Sequence, residues 1–274
     1  MNICVCGETR HKHTKTHATK YGPITIASCL NCGLNRDIKE YDYNFLYTDQ
    51  ANIYHPSDST AFQEEILVWK RYLEFLQPYI GGSGRILDVG CNDGSLLSLL
   101  RDHGWSGIGI EMNTEMAKFA TSQGLEVINK PFNQAPFADN SFDLIVMSHI
   151  LEHMPDLGET LKRIRKLLRA GGYLLVIVPN YGCHLVRLIE GIRWIGFIPG
   201  QHIWYFTKKS LKSSCESFGL KLVEYRTINF LPTGSKVFLG SLIKHIFNFW
   251  MKITDNGEEI SGCLLYTSPS PRDS

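Results

Sequence analysis

Two sets of residues in this chain have the types and spacing to do chemistry. The first is the run Arg85-Ile86-Leu87-Asp88-Val89-Gly90-Cys91-Asn92-Asp93-Gly94-Ser95. Ile86, Leu87 and Val89 make the short apolar run of a buried parallel strand. Gly90 and Gly94 then permit a turn too tight for a side chain, and Asn92 tolerates a left-handed backbone. Ser95 opens a leucine-rich helix over 96–103. Strand, glycine turn and helix start together make a ligand site, because a ligand can approach the backbone and meet unpaired N–H groups. Further on, Gly107-Ile108-Gly109-Ile110 reads as a second strand ending in Glu111. A carboxylate about 20 residues after such a turn can accept hydrogen bonds from both hydroxyls of a ribose. The dinucleotide pattern G-x-G-x-x-G is not met, since Asn92 and Ser95 stand at its second and third glycines, which argues against NAD.

The second set is Cys4-Val5-Cys6-Gly7 with Cys29-Leu30-Asn31-Cys32-Gly33. Two close cysteine pairs, each followed by glycine, are the knuckles of a zinc ribbon over 1–40. Cys4, Cys6, Cys29 and Cys32 are thus the expected ligands of one structural zinc; four thiolates leave no open position for catalysis. His11, His13 and His17 lie between the pairs in a basic, threonine-rich stretch that reads as a solvated loop.

The motif Asp88-Val89-Gly90-Cys91-Asn92-Asp93-Gly94 resembles the first motif of class I S-adenosylmethionine-dependent methyltransferases. So does the stretch Ala135-Pro136-Phe137-Ala138-Asp139-Asn140-Ser141-Phe142-Asp143, which leads to Leu151-Glu152-His153 and resembles the approach to and exit from that superfamily's fourth strand. The run His202-Ile203-Trp204-Tyr205-Phe206-Thr207 is similar to a subgroup that includes saccharide and quinone-pathway enzymes. The resemblance covers about residues 80–230. It implies S-adenosylmethionine held by Asp88, Gly90, Asn92, Gly94, Glu111, Met112, Phe132 and Ser148. It implies methyl transfer to a small-molecule acceptor at the tip of the fourth strand. His202 is the first candidate for a general base, followed by His149 and His153, because imidazole titrates in the right range. Two alternatives stand beside this. His149-x-x-Glu152-His153 with His202 resembles the metal constellation of some RNA and quinone O-methyltransferases, and a non-catalytic methyltransferase-like binding module is the other.

The elements that must position these residues follow from periodicity. Phe62, Ile66, Trp69, Leu73 and Leu76 recur at helical spacing, so 61–76 is an expected amphipathic helix, with Thr60 and Gln63 as its capping box. It ends a connector over 41–80. Helices over 114–123, 157–168 and 208–217 alternate with strands over 125–128, 173–178 and 220–228, and the stretch 135–147 leads through the fourth strand. The fold class expected is α/β, a doubly wound Rossmann-like sheet over 81–262 preceded by the zinc ribbon. The resemblance implies strand order 3-2-1-4-5-7-6 with the last strand antiparallel. A lid is expected over 183–199, and an apolar helix over 236–252 covering the pocket or packing on the sheet.

The chain has 274 residues, 43% of them hydrophobic and 20% charged, with a formal net charge of +1. That balance gives no broad electrostatic case for nucleic acid or a membrane surface. With no apolar signal core and no run long enough to span a bilayer, a cytoplasmic location is the default expectation. Residues 263–274 resemble the translation of a transposase adapter used in sequencing libraries. Native sequence is therefore expected to stop near Gly262. Glu258-Glu259-Ile260-Ser261-Gly262 looks too short and too acidic to fill a central strand. The sheet is then expected to lack that strand or to build it from 264–267, in a truncated and unstable protein.

Overall fold

A hairpin of β1 (His11–Thr19) and β2 (Gly22–Cys29) opens the computed structural model, followed by short β3 (Asn35–Asp37). The structure describes residues 4–19, 22–39, 59–183, 198–228 and 259–266. Helix α1 (Ser59–Leu76) leads into an alternation of β4 (Arg85–Val89), α2 (Ser95–Arg101), β5 (Ser106–Ile110), α3 (Thr114–Ser122) and β6 (Glu126–Ile128). It continues through β7 (Phe142–Ser148), α4 (Leu157–Leu167), β8 (Leu168–Pro179), β9 (Trp204–Tyr205), α5 (Lys208–Glu216), β10 (Leu220–Ile228) and β11 (Glu259–Tyr266).

Seven strands form the central sheet in the order β10-β11-β8-β7-β4-β5-β6. The five strands β6, β5, β4, β7 and β8 run parallel, and β11 lies antiparallel between β8 and β10. This is the order expected from the sequence. Successive residues alternate between two cores, as period-two geometry requires. Ile86, Leu144, Val146, Leu175 and Ile177 face one side with Leu96, Leu97 and Leu100 of α2 and Tyr72, Phe75 and Leu76 of α1. Leu87, Val89, Ile145, Met147 and Val176 face the other, with Leu161 and Ile164 of α4 and Leu211 and Cys215 of α5.

That second core also contains Cys4, Cys29, Cys32 and Leu34. The ribbon is therefore packed on the α4–α5 face of the sheet. Its sheet runs β1-β2-β3-β9, so its last strand comes from the far part of the chain. Asn35 pairs with Tyr205 and Arg36 with Trp204.

Three expectations are corrected. The 11–19 stretch is a strand, because it has an apolar partner strand with Ile24 and Ile26 fully buried. Helix α1 begins at Ser59, so Thr60 lies inside its first turn and is not the cap. The final strand is built in part from 264–266, as expected, but Glu259–Gly262, expected to be too short and too acidic, runs straight into it to form one strand through Tyr266. Ile260, Gly262 and Leu264 fall at alternate positions and are buried in the sheet. Alternation, not overall acidity, lets this segment occupy a central slot. The segments 41–55, 184–197 and 236–252 lie outside the described residues, and with them nearly all of the expected lid and the whole expected apolar helix. Among the described residues, no helix is long and apolar enough to cross a membrane.

Candidate active site

The carboxyl ends of β4, β5 and β7 meet at one edge of the sheet, where Val89 pairs with both Ile110 and Met147. After β4 the chain turns through Gly90 (φ 77°), Asn92 (φ 50°) and Gly94 (φ 80°), all left-handed. The turn is pinned to the next strand, with Gly90 N and Cys91 N donating to Ile110 O at 2.7 and 3.0 Å. A Cβ on Gly90 would collide with the Ile150 side chain, so the turn also packs against the segment that follows β7.

Glu111 directly follows β5 and faces this turn. Its carboxylate accepts from Asn92 N at 2.9 Å and from Asn113 N at 2.7 Å, and it is 9% exposed. Burial raises its pKa, and the backbone N–H groups of Asn113, Asn92 and Met112 oppose the rise. Asn113 in turn caps α3, accepting from Glu115 N and Met116 N. Asn129 donates to the carbonyls of Glu111 and Met112, tying the tip of β5 to the end of β6. Neither asparagine was singled out from the sequence. Asn113 just ahead of Thr114-Glu115 is the signature that could have found the cap.

Asp88 is 2% exposed on β4. Burial, with the negative charges of Glu111 and Asp93 nearby, pushes its pKa up to about 8. Between the ordinary carboxylate value near ~4 and about 8, the fold therefore binds a proton that the unfolded chain lacks. This group makes stability fall as pH rises through that window, and its contribution is flat above it. We expect the melting temperature to decline from pH 5 to pH 9 in the wild type and to decline less in Asp88→Asn. Parallel profiles would show that Asp88 ionises normally.

Of the remaining expected ligands, Met112 and Ser148 are half-buried at the tips of β5 and β7. Phe132 is different: it is 6% exposed in the core, with the Arg163 guanidinium 5.2 Å above its ring.

Beyond β7 the chain carries the histidine cluster. His149 adopts φ 55°, a left-handed conformation that costs a branched-free side chain about 1–2 kcal/mol and needs its surroundings to hold it. Its N–H donates to Ile177 O at 2.8 Å. Its Nδ1 lies 3.6 Å from Glu152 Oε1, and its side chain is 44% exposed. Glu152 is 1% exposed, in the 3-10 turn Leu151–His153. Among the described residues neither of its oxygens accepts a hydrogen bond. Burial alone pushes Glu152 upward. His149, His153 and His202 outweigh that and hold it at about 2.

His153 Nδ1 lies 2.9 Å from Gln201 O; a carbonyl can only accept, so Nδ1 carries the proton. Its Nε2 then faces Glu152 Oε1 at 4.0 Å. His202 is 7% exposed, its ring edge-to-face with that of His153 at 4.7 Å between centroids. The fold thus brings all three candidate histidines around one buried carboxylate. His202, the first choice from sequence, is the buried member; His149 is the exposed one.

The four ribbon cysteines also come together. Cys4 Sγ lies 3.6 Å from Cys32 Sγ, Cys6 Sγ lies 3.6 Å from Cys29 Sγ, and all four sulfurs fall within 4.8 Å of one another. A tetrahedral ion with four Zn–S bonds of about 2.3 Å would set sulfurs about 3.8 Å apart, so the cluster is consistent with a zinc ribbon. The thiols share protons unequally: the hydrogen bond from Cys4 holds Cys32 down at about 5, and pushes Cys4 itself upward. Among the described residues, neither His11 nor His17 joins the cluster.

The family model described as "Methyltransferase domain" matches residues 62–225, more than half of the chain. An uncharacterized protein of Methanocaldococcus jannaschii is 26% identical over 129 residues, 47% of this chain and 60% of the relative. The chain therefore spans less than two thirds of that relative's length. A ubiquinone biosynthesis O-methyltransferase of Coxiella burnetii is 26% identical over 179 residues, covering 58% of this chain and 74% of that protein. Two solved structures share the fold. One is a methyltransferase crystallised with the Haloferax volcanii Trm112 methyltransferase activator, with TM-score 0.55, 18% identity and 76% and 98% of the two chains covered. The other is a SAM-dependent methyltransferase from Archaeoglobus fulgidus, with TM-score 0.52, 20% identity and 82% and 100% covered. With its glycine turn, its distal acid and the family match spanning both, the chain belongs to the S-adenosylmethionine-dependent methyltransferases.

Proposed function

We propose that this methyltransferase acts on a small molecule, a saccharide or biosynthetic intermediate, with His149 as general base and Glu152 as its buried counter-charge. The observation that carries this reading is the His149–Glu152 pair at the tip of β7, beside the glycine turn. S-adenosylmethionine brings a methyl carbon already activated by its sulfonium, so the chain's own residues mainly align the acceptor and manage one proton. Gly90, Asn92, Gly94 and Glu111 would hold the cofactor; Glu111 already presents a carboxylate at the edge of the turn. The bound cofactor would supply the methyl group and keep the bonding electrons on its sulfur, and the acceptor's proton would pass to the His149 imidazole. Glu152, ionised at neutral pH, balances the positive charge that arrives there. His153 and His202 form the wall behind it. The four cysteines hold a structural zinc in this reading. A small acceptor fits the near-zero formal net charge and the relative named for ubiquinone biosynthesis.

The test is release of S-adenosylhomocysteine from S-adenosylmethionine in the presence of fractionated metabolites. His149→Ala should lose on the order of 100-fold in kcat while binding S-adenosylhomocysteine within about threefold of wild type. Undiminished turnover in His149→Ala would remove it from the mechanism.

A second reading has its own observation. Glu152, His153 and His202 each offer a ligand atom within 4.8 Å of the others, with His153 Nε2 on the side of Glu152. A divalent cation between them would make the reaction metal-assisted. Titration with Mn2+ followed by electron paramagnetic resonance separates the two. Binding that vanishes in Glu152→Ala, with turnover that requires the added ion, supports the metal. Turnover indifferent to Mn2+ supports the unaided base.

A further inference from the structure

The segment Ile203–Phe206 is gripped from two sides. On the side of the main sheet, Ile203 N donates to Glu152 O at 2.9 Å and Tyr181 N donates to Phe206 O at 2.8 Å. The Trp204 indole N–H donates to Met154 O at 2.7 Å. On the other side lies the ribbon. Asp37 N donates to Ile203 O at 3.0 Å, β3 pairs with β9, and the Arg36 guanidinium sits 5.2 Å above the Trp204 ring. Asn35, 5% exposed, uses its side-chain amide to donate both to Gly33 O at 2.9 Å and to Tyr205 O at 3.2 Å. Gly33 directly follows Cys32, and the Cys32 sulfur accepts from Leu34 N at 3.4 Å. An unbroken path of short bonds therefore runs from the cysteine cluster through β3 to the residue next to His202.

We propose that the four-cysteine ribbon is a positioning device for the histidine cluster, with Asn35 as its coupling residue. His202 directly precedes Ile203, and its ring packs on that of His153. A displacement of β9 therefore moves the wall behind Glu152. The cofactor turn is hydrogen-bonded to Ile110 and Glu111 and makes none of these bonds; it meets the segment after β7 only through the packing of Gly90 on Ile150. Loss of ribbon order thus disturbs the acceptor side of the site and leaves the cofactor side in place. This rests on the reading that the cysteines hold zinc, but the β3–β9 coupling stands or falls by itself.

The experiment is hydrogen exchange on the full chain, combined with NMR of 13C-labelled histidine rings, in three samples: untreated, metal-stripped and Asn35→Ala. In Asn35→Ala, with cysteines intact, the peptide over 203–206 should exchange roughly 10-fold faster, since it loses a buried interstrand partner. The His202 and His153 ring signals should shift, and Arg85–Val89 should keep its protection. Stripping should give the same changes, and refilling with cobalt(II) should reverse them. Unchanged exchange at 203–206 and unchanged ring signals in Asn35→Ala would overturn the coupling. Changes in Asn35→Ala without any effect of stripping would keep the coupling and reject the metal as its source.

Discussion

Gly90→Val should bind S-adenosylhomocysteine at least roughly 100-fold more weakly than wild type, to the point of no measurable heat in calorimetry. Three effects act together. The backbone at Gly90 has φ 77°, which a β-branched residue adopts only under strain. A side chain there would strike Ile150 and push the segment after β7 away from the turn. It would also fill the space through which a ligand must approach the backbone. Because such a strained variant can fold poorly, Glu111→Gln is its companion. Glu111→Gln keeps the size of the side chain but removes its charge and replaces one carboxylate oxygen with an NH2 donor, so it can no longer offer a ribose two charged acceptors. Weakening two charge-assisted hydrogen bonds from ribose hydroxyls to this carboxylate costs about 1.5–3 kcal/mol, or roughly 10- to 150-fold in affinity. Wild-type affinity in both variants would show that the cofactor binds elsewhere.

Removing the ribbon's metal should have the largest effect on stability. Cys4, Cys29 and Cys32 are 6%, 3% and 2% exposed and lie in the same core as Leu161, Ile164 and Val176. Four thiols without a cation cannot all ionise, and burial penalises each thiolate. A bound zinc resolves both problems and couples its binding to folding. We expect one zinc per chain by elemental analysis. Cys32→Ser should lose it and melt about 10 °C lower, as a loss of about 3 kcal/mol would produce in a chain of this size. Since β9 extends the ribbon's sheet, unfolding should not stop at residue 39 but reach the 203–206 segment as well. Protein made in zinc-replete medium yet free of metal, with Cys32→Ser melting normally, would contradict this.

Much of the fold was legible because its signals are local and periodic. Alternation of Ile86 with Leu87, and of Leu144 with Ile145, marks strands buried on both faces. Glu111 and the four cysteines announced themselves by spacing. What sequence could not show depends on long-range pairing. Two-residue β9 has no period to read, and its partner Asn35 stands 170 residues away. For the same reason the ribbon looked like a separate module. Glu152 was visible next to its histidines, but only the 3-10 turn puts its carboxylate inside and His149 outside. That arrangement is why we propose His149, and not His202, as the base. The share of Glu259–Gly262 in the final strand was misjudged on charge, when the alternate placement of Ile260, Gly262 and Leu264 decided its fit.

The most direct test of methyl transfer is incubation with S-adenosylmethionine deuterated in its methyl group, together with a metabolite extract, followed by mass spectrometry. The account predicts one or more small molecules that gain a deuterated methyl group, in amounts equal to the S-adenosylhomocysteine formed, with both signals absent in Gly90→Val. Deuterated products that form equally with Gly90→Val, or no product and no S-adenosylhomocysteine with wild-type protein across extracts that serve known small-molecule methyltransferases, would contradict it.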